Sequence, residues 1–317
     1  LVEDWAIDIY VPEDYDSLSK YPVIYFNDGD LFADVFGFLT SLEASPFILV
    51  GISGDNSRTE RFLAYDDPTV SARYGAYEPN ASVYSDAVVD EIMPFVENKF
   101  SIDGNKKALF GISFGGLHAT WMAVKYPQVF DFIGALSPSY WVANEALFAE
   151  DLSGLDPPGL IPPTKIYYDR GSQEWRNHLS FVSHLKSVGL VYGKSLFYYE
   201  VEGADHTAED WLLRIDIPFK LFMEGIGSSD VPTHLELRSY CANDLSNNDL
   251  NTTRANPVIH YENGVKFSVI TEAEYIVTQG EGAVANDGTY HISSGLSMEV
   301  RANYLNFADI KTLTSCN

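Results

Sequence analysis

Six short, almost unbroken apolar runs, most of them followed by a stretch with helical spacing, leave this chain few ways to fold. The runs are YPVIYFNDGD (Tyr21–Asp30), FILVGIS (Phe47–Ser53), KKALFGIS (Lys106–Ser113), FDFIGALSP (Phe130–Pro138), TKIYYDRG (Thr164–Gly171) and SLFYYEVEG (Ser195–Gly203). A strand with one wet face alternates polar and apolar side chains. Runs this continuous need cover on both faces, as in a parallel sheet. Ser85–Phe100 carries Val88, Val89, Ile92, Met93, Val96 and Phe100 at helical spacing, with Pro94 as a kink. Phe114–Lys125 reads as a second helix, stopped by Tyr126-Pro127. A third lies near Trp175–Val188, and AEDWLLRIDIPFKLFME after His206 is a fourth. Strands and helices in alternation predict a three-layer α/β fold with a mostly parallel sheet.

After GIGSSDVP (Gly225–Pro232) helical periodicity gives way to short strands separated by Gly, Asn and Asp. VIHYENGVKFSVI (Val258–Ile270) is a hairpin signal, because Asn263-Gly264 suits a type I′ turn. EYIVT, TYHIS and SMEVRA continue the pattern. The expected organisation is an α/β domain over residues 1–225 and a small all-β module over 226–317. The two cysteines, Cys241 and Cys316, bracket that module without metal-ligand spacing, and a single disulfide tying down the C-terminus is expected. A disulfide fits an oxidising compartment. The chain opens on Leu1 rather than Met, as it would after removal of a leader, so secretion or a periplasmic location is expected.

Acidic residues number 45 against 20 basic ones, for a formal net charge of -25. Such a field repels phosphate backbones and anionic lipid, so nucleic-acid binding is not expected. No apolar run approaches the ~18 residues of a membrane span, so membrane insertion is not expected either.

In GISFGG, Ser113 stands two residues after Gly111 and two before Gly115, with Gly116 next. A serine on a tight strand-to-helix turn has strained dihedrals and needs neighbours without side chains. The turn lifts the hydroxyl clear of the sheet and aims the Phe114 N–H, at the helix N-terminus, where an oxyanion would form. A hydroxyl also needs a general base. His206 is best placed, because VEGADHT follows the last strand of the α/β part and precedes a helix. His118 lies on the helix leading away from Ser113 and reads as packed, while His178 and His184 read as solvated. His234, His260 and His291 belong to the β module.

A carboxylate should orient the imidazole. YYDRGSQEW offers Asp169 at a strand end and Glu174 in the loop beyond. Glu174 is preferred, because a loop carboxylate can bend toward His206 while a strand-end Asp tends to pair structurally, here with Arg170. Asp205 would point away from its neighbour. YFNDGD supplies the second oxyanion donor, the backbone N–H of Asp30, with Gly29 permitting the turn.

These residues resemble the esterase D branch of the α/β-hydrolases, which includes feruloyl esterases, siderophore-ester hydrolases, S-formylglutathione hydrolases and mycolyl transferases. YPVIYFNDG is similar to the family's strand with its Asp-Gly oxyanion loop. LVGISGDNSRTERFLAYDDP is similar to its Gly-Ile strand and arginine-containing stretch. The segment from VVDEIMPF to LSPSYW, GISFGG included, is similar to the family core, and YYDRGSQEW and GADHT match the acid and histidine loops. Coverage runs from Leu1 to about Gly225. The resemblance implies an α/β-hydrolase fold and serine-ester hydrolysis with Ser113, Glu174 and His206 as triad.

The expected reaction is hydrolysis of a small or medium carboxylic ester through an acyl-enzyme, with no metal or cofactor. The alternatives are acyl transfer to an alcohol, and carbohydrate or cell-surface binding through the β module on a hydrolase scaffold. Trp141, Trp175, Phe32 and Tyr74 are candidates to line an acyl pocket. Arg58 or Arg61 would bind a carboxylate, against the plainer role of pairing with Asp66 or Asp67. The acid in FNDGD disfavours anionic substrates near the oxyanion loop, and Asn144–Pro163 reads as a partial lid.

Overall fold

The structure, a computed structural model, describes residues 5–42, 44–53, 57–155, 164–174, 179–227, 229, 231–244 and 249–316. Seven strands form the main sheet: β1 (Ile7–Tyr10), β2 (Tyr21–Phe26), β3 (Ile48–Ile52), β4 (Ile102–Ile112), β5 (Phe132–Leu136), β6 (Lys165–Gly171) and β7 (Leu196–Val201). Their order is β1-β3-β2-β4-β5-β6-β7. Strands β3, β2, β4, β5 and β6 pair in parallel, and β1 pairs antiparallel with β3. The six runs read from sequence are the six strands β2–β7. Val23–Phe26, Ile48–Val50, Ala108–Phe110 and Ile133–Leu136 are buried, as strands covered on both faces must be.

The helices are α1 (Phe32–Thr40), α2 (Arg58–Phe62), α3 (Pro68–Tyr74), α4 (Ala81–Ala87), α5 (Met93–Lys99), α6 (Phe114–Lys125), α7 (Leu179–Ser187), α8 (Ala208–Leu212) and α9 (Asp216–Met223). Two of the expected helices are interrupted at proline. Between α4 and α5 a π turn, Val88–Ile92, passes the Met93 N–H to the Val88 carbonyl, just before Pro94. Pro94 has no N–H for the Asp90 carbonyl, and the wider turn absorbs that loss. The helix after His206 restarts at Asp216, which puts Pro218 in the first turn of α9, where an N–H has no intrahelical acceptor anyway.

The chain forms two compact units. The first comprises Leu1–Tyr168, Ser183–Leu196 and Trp211–Met223. The second comprises Asp169–Val182, Phe197–Asp210 and Glu224–Asn317. Its last segment opens within two residues of the change in sequence texture at 225/226, and it also takes in the end of β6, nearly all of β7 and the segments that follow them.

The second unit adds two antiparallel three-stranded sheets. One holds β8 (Pro232–Asp244), β9 (Asp249–Tyr261) and β10 (Lys266–Ser268), the other β11 (Glu274–Gln279), β12 (Ser297–Tyr304) and β13 (Phe307–Thr314). The β9–β10 hairpin is present, but its turn is not type I′. The Gly264 N–H returns to the Tyr261 carbonyl, and Gly264, not Asn263, takes the positive φ of 84°. That is a three-residue connection closed by a left-handed glycine. TYHIS forms only isolated bridges, Thr289 to Arg254 and Tyr290 to Val284.

Cys241 and Cys316 are joined by a disulfide across 75 residues, as expected. Closing a loop of that length removes enough unfolded-chain entropy to stabilise the fold by about 4 kcal/mol. Reduction with dithiothreitol should therefore shift the urea midpoint downward, and an unchanged midpoint would remove the bond from the stability account. Among the described residues, no helix is long and apolar enough to cross a membrane.

Candidate active site

Ser113 sits between the last residue of β4 and the first of α6, at φ 57° and ψ -115°. A non-glycine residue at positive φ costs free energy, which only a strongly determined surrounding repays. Its surroundings supply that. The Ser113 N–H donates to the Leu136 carbonyl at 2.9 Å, and its own carbonyl accepts from Leu117 and Ser139, each at 3.0 Å. A Cβ on Gly111 would lie 2.3 Å from the Gly115 carbonyl, and one on Gly115 would lie 2.2 Å from Asp28 Oδ2. Both glycines are thus dictated by close approach. Ser113 Oγ is 3.1 Å from Ser139 Oγ.

Asp28 braces this turn. Its carboxylate is only 4% exposed. Oδ2 accepts from the Ile112 N–H at 2.7 Å, and Oδ1 accepts from Arg58 Nε and Nη2 at 2.8 and 2.7 Å. Arg58 Nη2 also reaches the Ile112 carbonyl at 2.9 Å. Arg58 therefore pairs with Asp28, not with Asp66 or Asp67. Asp67 instead caps α3 through the N–H groups of Thr69 and Val70 and accepts from the Ala143 N–H. Arg61 donates to the Ser53 carbonyl at 3.2 Å and lies over the Trp5 ring.

A buried polar chain lies under the same helix start. Asn27 Nδ2 donates to the Gly115 carbonyl at 3.0 Å and lies 3.1 Å from His118 Nδ1. His118 Nε2 is 2.9 Å from Ser85 Oγ, whose proton goes to the Ala81 carbonyl. The imidazole thus carries its proton on Nε2. Burial pushes His118 down to about 3, so it stays neutral and packed, as read from sequence. His184 differs from its solvated reading: it is half-buried and stacks on Phe148.

The Phe114 N–H stands at the first position of α6, among the donors a helix leaves without an intrahelical acceptor. Asp30 lies on the 3-10 turn Gly29–Leu31 directly after β2, and its side chain accepts from Ser53 Oγ. Three aromatic rings cluster beside the Ser113 turn. Phe114 meets Tyr74 edge-on at 5.4 Å and Trp141 at 6.2 Å, and Tyr74 is 54% exposed. Phe32 opens α1, and Trp175 and His178 lie outside the described residues. Of the expected lid, 146–149 and 153–155 form 3-10 turns, while 156–163 also lie outside the described residues.

The acid and the histidine belong to the second unit and are brought together there. Glu174 stands three residues past β6 and is 5% exposed. Its Oε1 accepts from the Gly171 N–H at 2.7 Å, and its Oε2 lies 3.3 Å from His206 Nδ1. Backbone contact sets this spacing: the Gln173 N–H donates to the Ala204 carbonyl at 2.9 Å, and a Cβ on Gly171 would stand 2.2 Å from that carbonyl oxygen. Asp205 turns its carboxylate to the His206 N–H. Asp169 is buried on β6, and Arg170, its neighbour in a pleated strand, points the other way. The pairing expected between these two gives way to contacts of Arg170 with main-chain carbonyls and Glu200. Among the described residues, no three His, Cys, Asp or Glu side chains converge as a metal site.

A family model described as "Putative esterase" matches residues 1–212. The uncharacterized protein YbbA of Bacillus subtilis is 26% identical over 185 residues, covering 56% of this chain and 72% of YbbA. Among solved structures, the BES protein from Bacillus cereus superposes with a TM-score of 0.53 at 22% identity, over 69% of this chain and 86% of that one. The siderophore hydrolase EstA from Aspergillus nidulans gives 0.56 at 19%, over 69% and 90%. At these identities the two structures speak for the fold alone.

Proposed function

The chain belongs to the esterase family whose model it matches, and from that premise we propose that it is a serine carboxylesterase working through an acyl-enzyme. The observation that carries the proposal is the strained Ser113, held at φ 57° between a strand and a helix by two glycines with no room for a Cβ. Such strain marks a site where a backbone is paid to hold a side chain in place. In this reading His206 takes the Ser113 proton as Oγ attacks the ester carbonyl, forming a tetrahedral oxyanion. The N–H groups of Phe114 and Asp30 stabilise that charge. Glu174 keeps the proton of His206 on Nδ1 and offsets the imidazolium charge as it forms. His206 then protonates the departing alcohol, and the same machinery activates the water that releases the acid.

The rings of Phe114, Tyr74 and Trp141 favour a small or medium acyl group with a flat apolar face. The buried, Arg58-paired Asp28 leaves that arginine committed to the turn rather than to a substrate carboxylate. The Cys241–Cys316 disulfide supports a secreted or periplasmic setting. The test is a panel of p-nitrophenyl acetate and butyrate, a feruloyl ester and a catecholate siderophore ester, together with labelling by a fluorophosphonate. Turnover of at least one ester and a single phosphonylation mapped to Ser113 are expected. Labelling at another residue, with turnover intact, would overturn the assignment.

A further inference from the structure

The Glu174 turn, Gly171–Glu174, has every main-chain carbonyl occupied, and the donors come from only a few places. Arg170 Nε donates to the carbonyl of Gly171 at 3.0 Å, and its Nη2 to those of Ser172 and Glu174 at 3.2 and 2.9 Å. The Glu174 N–H also returns to Gly171. The rest comes from Asn243. Its N–H donates to the Ser172 carbonyl at 2.8 Å, and its Nδ2 donates to the Gln173 carbonyl at 2.7 Å. Its own carbonyl accepts from Arg170 Nη2 at 2.8 Å. Asn243 thus closes a ring of hydrogen bonds around a turn 70 residues earlier in the chain.

Strand β8 is shaped for this contact. The β8–β9 register shifts between Ala242 and Asp244, where Asn243 alone stands opposite two residues of β9, 250 and 251. An extra residue on the facing strand disrupts the ladder locally, so the backbone and side chain of Asn243 can be aimed elsewhere. Two residues before it, the Cys241 carbonyl accepts from Gln173 Nε2 at 3.0 Å, and the Cys241 side chain is tied to Cys316.

We propose that Asn243 is a positioning residue for ester hydrolysis: from the C-terminal β unit it holds the Gly171–Glu174 turn so that Glu174 stays on His206 Nδ1. The C-terminal unit is then part of the catalytic apparatus rather than an appended binding module. The proposal rests on Glu174 being the triad carboxylate. Displacing a group of this kind by about 1 Å costs on the order of 100-fold in rate, so the turn's support is where a remote residue acts on kcat.

A double-mutant cycle on the full chain, with p-nitrophenyl acetate as substrate, tests this. Asn243→Ala should lower kcat by about 10- to 100-fold with KM changed less than about twofold, since the ester does not touch Asn243. Glu174→Ala should lower kcat on the order of 10⁴-fold, and adding Asn243→Ala to it should cost nothing further. Losses that multiply in the double variant, or a wild-type kcat in Asn243→Ala, would overturn the positioning role alone. A wild-type kcat in Glu174→Ala would overturn the triad assignment and this proposal with it. If Asn243→Ala does not fold, Asn243→Asp carries the same cycle, because it keeps the side-chain size but offers the Gln173 carbonyl no donor. Asn243→Gln, with an amide donor on a longer arm, should recover part of the rate.

Discussion

Ser113→Ala is expected to lower kcat for any ester the protein turns over by about 10⁶-fold, the order of loss when a triad serine is removed. That corresponds to about 8 kcal/mol of barrier. The reason is chemical rather than structural. Alanine keeps the Cβ and the strained backbone of the turn, so the glycines around it and the Asp28 brace are undisturbed. The variant gives up the contact with Ser139 Oγ, worth about 1 kcal/mol, so the unfolding midpoint should barely move. Substrate affinity measured without turnover should persist, because the rings of Tyr74, Phe114 and Trp141 remain. A folded Ser113→Ala protein with wild-type turnover would move the nucleophile elsewhere and leave the strain at φ 57° without a purpose.

What could be read from the sequence was what is local. The six strands declared themselves because each is an unbroken apolar run, and α6 matched its expected bounds because a strained serine starts it and Tyr126-Pro127 stops it. The strained turn at Ser113 is legible for the same reason: its glycines are two and three residues from Ser113. β1 escaped notice because it has four residues, one of them the exposed Asp8. The π turn at Val88–Ile92 is a one-residue change in hydrogen bonding that leaves the apolar spacing almost intact. TYHIS has strand composition, but the left-handed Gly288, at φ 80°, begins it just where it meets the open edge of β9, and only single bridges form. Charge pairing was the least legible. Nearness in sequence points Arg58 to Asp66 or Asp67, but it pairs with Asp28, 30 residues away, because the fold lays the end of β2 beside the start of α6. Adjacency likewise points Asp169 to Arg170, and the pleat sends the two side chains to opposite faces. The register shift opposite Asn243 has no signature in composition or periodicity at all, because it exists only in the pairing of β8 with β9.

Glu200→Gln is expected to cost about 3–5 kcal/mol of stability at neutral pH. Glu200 is 0% exposed and lies between two arginines that are equally buried. Its Oε1 is 3.3 Å from Arg254 Nε, and its Oε2 is 3.8 Å from Arg170 Nε. Tyr198 and Tyr240 donate their hydroxyl protons to the two carboxylate oxygens, each at 3.0 Å. Glutamine fills the same space but keeps only one acceptor oxygen: two guanidinium groups lose the anion that offsets their desolvation, and one of the two tyrosine hydroxyls loses its acceptor. Burial by itself would raise the Glu200 pKa, and Arg254, then Arg170 and the two tyrosines, more than reverse that, leaving it below the ordinary carboxylate value. The sign follows. A carboxylate depressed on folding stabilises the native state above its unfolded pKa of about 4.3 and loses that contribution as pH falls toward its folded value. The stability gap between wild type and Glu200→Gln, read from urea unfolding followed by circular dichroism, should therefore be full at pH 7 and narrow below about pH 4. A gap that stayed constant down to pH 3, or a variant as stable as wild type at pH 7, would mean that Glu200 acts by packing and not by its charge. Because Arg170 also holds the Glu174 turn, the same variant should lose kcat along with stability, and a full kcat in folded protein would uncouple the buried charges from that turn.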